Sequence, residues 1–237
     1  TSFSPTWTVD GASNKYKFNN GTYTSSLTLV IEVDQGNSVI STLTNSLNCE
    51  WSTYVGGSNN EAATNVKSDA NSNLFVSGFT YSSNFPPAGL YVFQNYNNGS
   101  YDGFMDKYDV NGTRVWSTYI GGTEDDNIMG FDIAPNGEIY MVGQTTSTLV
   151  TLGKAGATNS LTPIGAEDFI IFQMSTDAQQ KKWLTYYGGN AKDDYITCKF
   201  DANGNFFMVG RTLSKNLPIL GSTPQYTNTN HDVLSDN

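Results

Sequence analysis

At 237 residues, with 22 acidic and 12 basic side chains, the chain carries a formal charge of −10 and is long enough for one large domain or two ordinary ones. That acidity, without a cluster of Lys or Arg, argues against nucleic acid as a partner. No segment has the roughly 18 apolar residues a membrane-spanning helix requires. The composition is 13% aromatic and only 14% charged, with 23 glycines, which suits short strands and tight turns better than helices.

In chain order, Tyr16-Lys-Phe-Asn-Asn-Gly21-Thr-Tyr23 reads as a hairpin about an Asn-Gly turn, and Leu27–Val33 as a further strand. Residues 1–48 are expected to form the tail of a preceding β-rich module. From residue 49 a repeat takes over. Trp51-Ser-Thr-Tyr-Val-Gly-Gly57, Trp116-Ser-Thr-Tyr-Ile-Gly-Gly122 and Trp183-Leu-Thr-Tyr-Tyr-Gly-Gly189 are near copies at almost equal spacing along the chain. An Asn follows each Trp at one fixed offset (Asn71, Asn136, Asn203), and a Gly-x-Thr ends at another (Thr80, Thr145, Thr212). Three landmarks in one register define units of about 58–122, 123–189 and a partial 190–237.

Each unit reads as four strands. The first alternates, as in Met129, Phe131 and Ile133, with polar or small residues between, the period of a half-buried strand. An Asn-Gly turn such as Pro135-Asn-Gly137 follows. The second strand is apolar on both faces, as in Ile139-Tyr-Met-Val, so something must pack on each side of it. The third opens with Asp102-Gly-Phe-Met or Asp168-Phe-Ile-Ile, and the fourth carries the Trp motif. The predicted strands are 63–69, 73–80, 102–109 and 113–120, then 128–134, 138–145, 168–175 and 181–187. The expected fold is all-β: a β-propeller of four-stranded antiparallel blades over 49–237, present as an incomplete arc. Residues 49–55 are then expected to pair with a third strand near or beyond residue 237, or to cap the preceding module if the ring is absent. Asp232, in register with Asp102 and Asp168, is expected to open a third strand that the chain does not complete.

The Trp-Ser-Thr-Tyr-x-Gly-Gly motif, with Asp-x-Asn-Gly turns, Val-x-Gly-x-Thr and Asn84-Phe-Pro, resembles the bacterial seven-bladed β-propeller repeat (SBBP repeat) family over about residues 49–237. Ala134, Ser72 and Leu184 depart from its pattern at single turn or strand positions. The resemblance implies a secreted or cell-surface bacterial protein, with further blades or domains of the same protein as partners. It implies no shared enzymatic activity.

Chemistry-bearing residues are few. His231 is the single histidine and has no Gly-x-Ser-x-Gly elbow, so nucleophilic catalysis lacks its parts. Cys49 and Cys198 lack metal-ligand spacing, and Cys198 falls in register with Val66 and Phe131 as a small buried hydrophobe. The Gly-Gly pairs, with no helix or Lys following, read as strand-ending turns. Asp109-Val-Asn-Gly112 and Asp201-Ala-Asn-Gly204 begin like calcium loops but lack the closing acid, so no cofactor is expected, with calcium as the alternative. Asn20-Gly-Thr, Asn98-Gly-Ser and Asn111-Gly-Thr fit the glycosylation pattern and equally fit turns.

One row stands out. At the same distance after each Trp lies an acid, Glu61, Asp126 or Asp193, expected on loops at one face. Exposed carboxylates there would line a cation or sugar site, and carboxylates bound to their own backbone would be architectural. The expected function is a non-enzymatic secreted or cell-surface module for adhesion or structural spacing in a large exported protein, meeting cell-surface glycan or protein. The alternative is an extracellular polysaccharide-acting enzyme or a lectin-like glycan-binding propeller with the active part outside this fragment, although Glu61, Asp126 and Glu167 could supply a carboxylate pair.

Overall fold

The computed structural model describes residues 6–10, 15–19, 28–33, 37–43, 49–85, 94–148 and 162–218, with side chains from residue 51 onward. Those residues form antiparallel strands and no helix. β1 (Thr6–Asp10) pairs with β2 (Lys15–Asn19), so the Tyr16 segment takes its partner from the N-terminal side. The Asn20-Gly21 turn lies outside the described residues. β3 (Thr28–Val33), β4 (Asn37–Leu43) and β5 (Cys49–Val55) form a three-stranded sheet. β5, the Trp51 strand, therefore joins the segment before it, the second of its two expected placements, across the boundary placed at residues 48 and 49. β4 escaped notice because Asn37-Ser-Val-Ile-Ser-Thr-Leu43 mixes polar and apolar residues without a clean period.

Two complete four-stranded sheets follow. β6 (Glu61–Ser68), β7 (Leu74–Thr80), β8 (Asp102–Tyr108) and β9 (Arg114–Ile120) pair in sequence order. β10 (Asp126–Ile133), β11 (Ile139–Thr145), β12 (Asp168–Met174) and β13 (Lys181–Tyr187) repeat that order. A last pair, β14 (Asp193–Phe200) and β15 (Phe206–Thr212), begins the pattern again. The expected strands stand within two residues of these bounds. The third strand expected at Asp232 lies outside the described residues.

Five hairpins share one turn. In each, the N–H of a residue with positive φ closes onto the carbonyl three positions earlier: Ser72 onto Asp69, Gly112 onto Asp109, Gly137 onto Ala134, Ala178 onto Ser175 and Gly204 onto Asp201. This is a three-residue loop ending in the left-handed region, where Gly is unstrained. The Asp that opens three of these turns accepts two backbone N–H groups: Asn71 and Asn73 onto Asp69, Asn111 and Thr113 onto Asp109, Asn203 and Asn205 onto Asp201. The segments that begin like calcium loops are turns held in this way.

The apolar core divides by junction, one cluster between each sheet and the next. Strand alternation sends Leu74 and Val76 toward β5 and its neighbours, and Phe75 toward the second full sheet. Ile170, Phe172 and Met174 face the first full sheet, while Phe169 and Ile171 face β14. The second strands are apolar on both faces because both faces are covered. The tryptophans tie successive sheets together. Trp116 is 4% exposed and donates its indole N–H to the Thr176 carbonyl, in the turn between β12 and β13, at 3.1 Å. Trp51 stacks on Tyr108 at 6.0 Å and covers Gly112, in the corresponding turn of the first full sheet. Trp51 and Trp183 are half-buried, less covered than Trp116. Cys198 is a half-buried free thiol packed at the edge of the last cluster, and burial pushes its pKa up to about 12.

Candidate functional site

The three acids of the repeat occupy equivalent positions, but as the first residues of β6, β10 and β14 rather than on exposed loops. Glu61 is 6% exposed, and Asp126 and Asp193 are 0%. Both oxygens of Asp126 accept bonds from the surrounding chain, whereas Glu61 and Asp193 each use one oxygen and keep the other, Oε2 and Oδ1, buried without a donor. Asp126 accepts the Gly122 N–H at 2.7 Å, the Ser147 hydroxyl at 2.7 Å and the Thr145 hydroxyl. Asp193 accepts the Gly189 N–H at 2.8 Å and the Ser214 hydroxyl at 3.1 Å. Glu61 accepts the Thr80 hydroxyl at 2.7 Å and that of Ser82. The row does not form an open face. It closes three separate nodes: Asp126 and Asp193 bind a Gly-Gly turn to the end of a second strand, and Glu61 gathers the Thr80 and Ser82 hydroxyls there.

The serine at each node works in two directions. Its hydroxyl donates to the acid and accepts a backbone N–H from the preceding loop: Asn59 onto Ser82 at 2.7 Å, Glu124 onto Ser147 at 2.9 Å, Ala191 onto Ser214 at 3.0 Å. The asparagines of Asn84-Phe-Pro and Asn216-Leu-Pro extend the node, accepting the Ser58 and Asn190 N–H groups at 2.8 Å each. Both glycines of the turn are required by close approach. A Cβ on Gly57 or Gly189 would lie 2.5 or 2.4 Å from the Ser82 or Ser214 Cβ. A Cβ on Gly121 or Gly188 would lie 2.5 or 1.9 Å from Oδ1 of Asp102 or Asp168.

Those last contacts reveal a second row of acids that the strand pattern marks only as openings of third strands. Asp102 and Asp168 are fully buried. Oδ2 of Asp102 accepts the Asn98 N–H at 3.0 Å and the Gln94 side-chain N–H at 2.8 Å; that of Asp168 accepts Ile164 and Gly165 at 2.7 and 3.1 Å. Oδ1 of each meets no protein donor. Burial, reinforced by the Asp126 charge, pushes the Asp102 pKa up to about 7. Burial also raises Asp126, and raises Asp168 with a contribution from Asp193. An open cleft of about 450 Å³ is lined by Gln94, Asn98 and Gly121, the residues that surround Asp102.

The carboxylates considered for sugar hydrolysis have separate surroundings. Glu61 and Asp126 open different sheets and are buried, while Glu167 is half-buried and paired with Lys192 at 2.7 Å. Among the described residues no group of three or more His, Cys, Asp or Glu side chains is arranged to hold a metal ion. His231 lies outside the described residues. The serines escaped the sequence reading although their signal was present: Ser82, Ser147 and Ser214 keep a constant offset from Trp51, Trp116 and Trp183, extending Gly-x-Thr to Gly-x-Thr-x-Ser.

No protein-family model matches the chain. Among known proteins it is similar to the regulatory protein FlaEY of Caulobacter vibrioides, 29% identical over 111 residues, a stretch covering 46% of this chain and 11% of FlaEY. The chain thus matches a small part of that protein's length.

Proposed function

We propose that the chain is an arc of a β-propeller serving as a non-enzymatic module of a large exported bacterial protein, displayed at the cell surface for adhesion or spacing. One observation carries this reading: the repeated acids are buried, each accepts internal hydrogen bonds, and each stands as the first residue of its sheet's first strand. Buried carboxylates that accept several internal bonds serve architecture. Successive sheets face each other through their first strands, with the Phe200 N–H on β14 donating to Asp132 on β10 at 2.7 Å and the Thr64 hydroxyl on β6 to the Ile128 carbonyl on β10. Inner strands set side by side in this way support blades arranged about an axis. Cell fractionation and protease shaving of intact source cells test the location. We expect the chain in the envelope or medium and removed by added protease; a protease-resistant cytosolic pool alone would overturn the reading.

A further inference from the structure

The end of the second strand is fixed at alternate positions and free at the others. Gly78-Phe-Thr-Tyr-Ser82, Gly143-Gln-Thr-Thr-Ser147 and Gly210-Arg-Thr-Leu-Ser214 share Gly, Thr and Ser. In the two complete sheets both hydroxyls reach the buried acid, and in the last Ser214 does. The alternating positions point away from the node by the two-residue period of a strand. They leave Tyr81 41% and Leu213 39% exposed, with Thr146 and Arg211 also exposed. The residue opposite on the first strand changes with them: Ala62 faces Phe79, Asn127 faces Gln144, and Asp194 faces Arg211. A constant scaffold thus presents a varied rim, the arrangement by which repeat proteins build binding faces.

The rim is continuous across the three sheets. At one end the rings of Phe79, Tyr81 and Tyr101 cluster with centroids 5.0 to 6.0 Å apart. Tyr101 is half-buried near Asp125 and Glu167, which with burial raises its pKa to about 12 and keeps its hydroxyl a donor. Glu167 binds Lys192 at 2.7 Å, and Lys192 reaches Asp194 at 3.4 Å. Arg211 grips Asp194 with two bonds of 2.7 and 2.6 Å, its guanidinium 4.5 Å from the Tyr195 ring. The Tyr195 N–H returns to Gln144 at 3.4 Å.

We infer that this rim, from Tyr81 to Arg211, binds a neutral oligosaccharide, an assignment that rests on the surface-module reading and names its ligand class. Partly exposed tyrosine rings offer flat apolar faces for sugar C–H groups and a polar tip for hydroxyls. Gln144, Glu167 and Arg211 supply planar donors and acceptors beside them. Three acids against two bases leave the rim near neutrality on a chain of charge −10, which disfavours polyanions. The ion pairs hold the charged side chains in place before a ligand arrives, lowering the ordering cost of binding.

Titration calorimetry of the 237-residue chain with cellohexaose, xylohexaose and mannohexaose, and separately with heparin and polygalacturonate, tests the inference. Tyr81→Thr and Arg211→Gln install residues that the second full sheet already carries at those positions, so the scaffold has a precedent for both. We expect at least one neutral hexasaccharide to bind, and Tyr81→Thr to weaken it about fivefold or more. Val115→Ala, at an exposed position on β9, should leave binding and melting temperature unchanged. No neutral binding, preference for either polyanion, or equal loss in the β9 variant would overturn the inference. Protease shaving is scored independently: surface display without sugar binding removes this inference alone, and absence of display removes the reading beneath it.

Discussion

The second full sheet and the final strand pair carry the same sequence pattern and meet different surroundings. In β11, Met141 and Val142 are 0% exposed, enclosed by clusters on both sides. In β15 the matching residues Met208 and Val209 are 39% and 68% exposed, and Phe207 is 58% exposed. The pattern apolar-on-both-faces therefore specifies a strand that needs neighbours, and burial is conferred by the sheet next door. The stabilising unit is the junction rather than the sheet.

The largest expected effects should separate the two regions. Trp116→Ala is expected to cost about 3–5 kcal/mol and Met141→Ala about 2–5 kcal/mol in urea melts, whereas the half-exposed Met208→Ala should cost under about 1 kcal/mol. Equal losses for Met141 and Met208 would break the comparison.

The junction between the two full sheets should also make stability depend on pH. Asp102 titrates at about 7 when folded against an ordinary value of 3.8, so the folded state holds the proton more tightly. Its contribution is fully present below about pH 4 and is lost as pH rises toward 7, on the order of a few kcal/mol. Asp102→Asn should flatten the fall in melting temperature between pH 5 and 8. An unchanged pH profile would show that the carboxylate is ionised throughout.

Glycine turns sharpen the contrast further. A Cβ on Gly112, at φ 78°, would lie 2.7 Å from the Trp51 ring, so Gly112→Ala adds a collision to backbone strain and should cost about 2–3 kcal/mol. Gly204 in the last pair has φ 82° and its nearest contact, Pro135, lies at 3.9 Å, so Gly204→Ala should cost only the strain, about 1 kcal/mol. The smallest effect has the opposite sign. Ser72→Gly relieves a serine held at φ 61° and should stabilise by a few tenths to about 1 kcal/mol, read as a rise in urea midpoint.

Strand positions were legible because the repeat prints each pattern several times, so that a weak copy such as Thr64-Asn-Val66 is located by its stronger relatives. β4 was not, because it stands outside the repeat and its Ser and Thr residues obscure the period. The acid row was found by its spacing, but spacing does not report which way a carboxylate points. That depended on the hydroxyls of Gly-x-Thr-x-Ser and on the bare Gly-Gly backbone, whose approach becomes visible only in three dimensions. Asp102 was hidden differently: an acid at a strand opening reads as a solvated residue until its neighbour in the next unit is seen beside it.

The tryptophan joint has a consequence for how such chains grow. Trp51 rests on the turn of the following sheet at Gly112, and Trp116 on the turn holding Thr176. A duplicated stretch of one repeat length thus arrives with both halves of a joint, a peg for the unit after it and a socket for the unit before. Gene duplication can then lengthen the array in single steps without inventing a new contact, and a deletion of one repeat heals by the same fit.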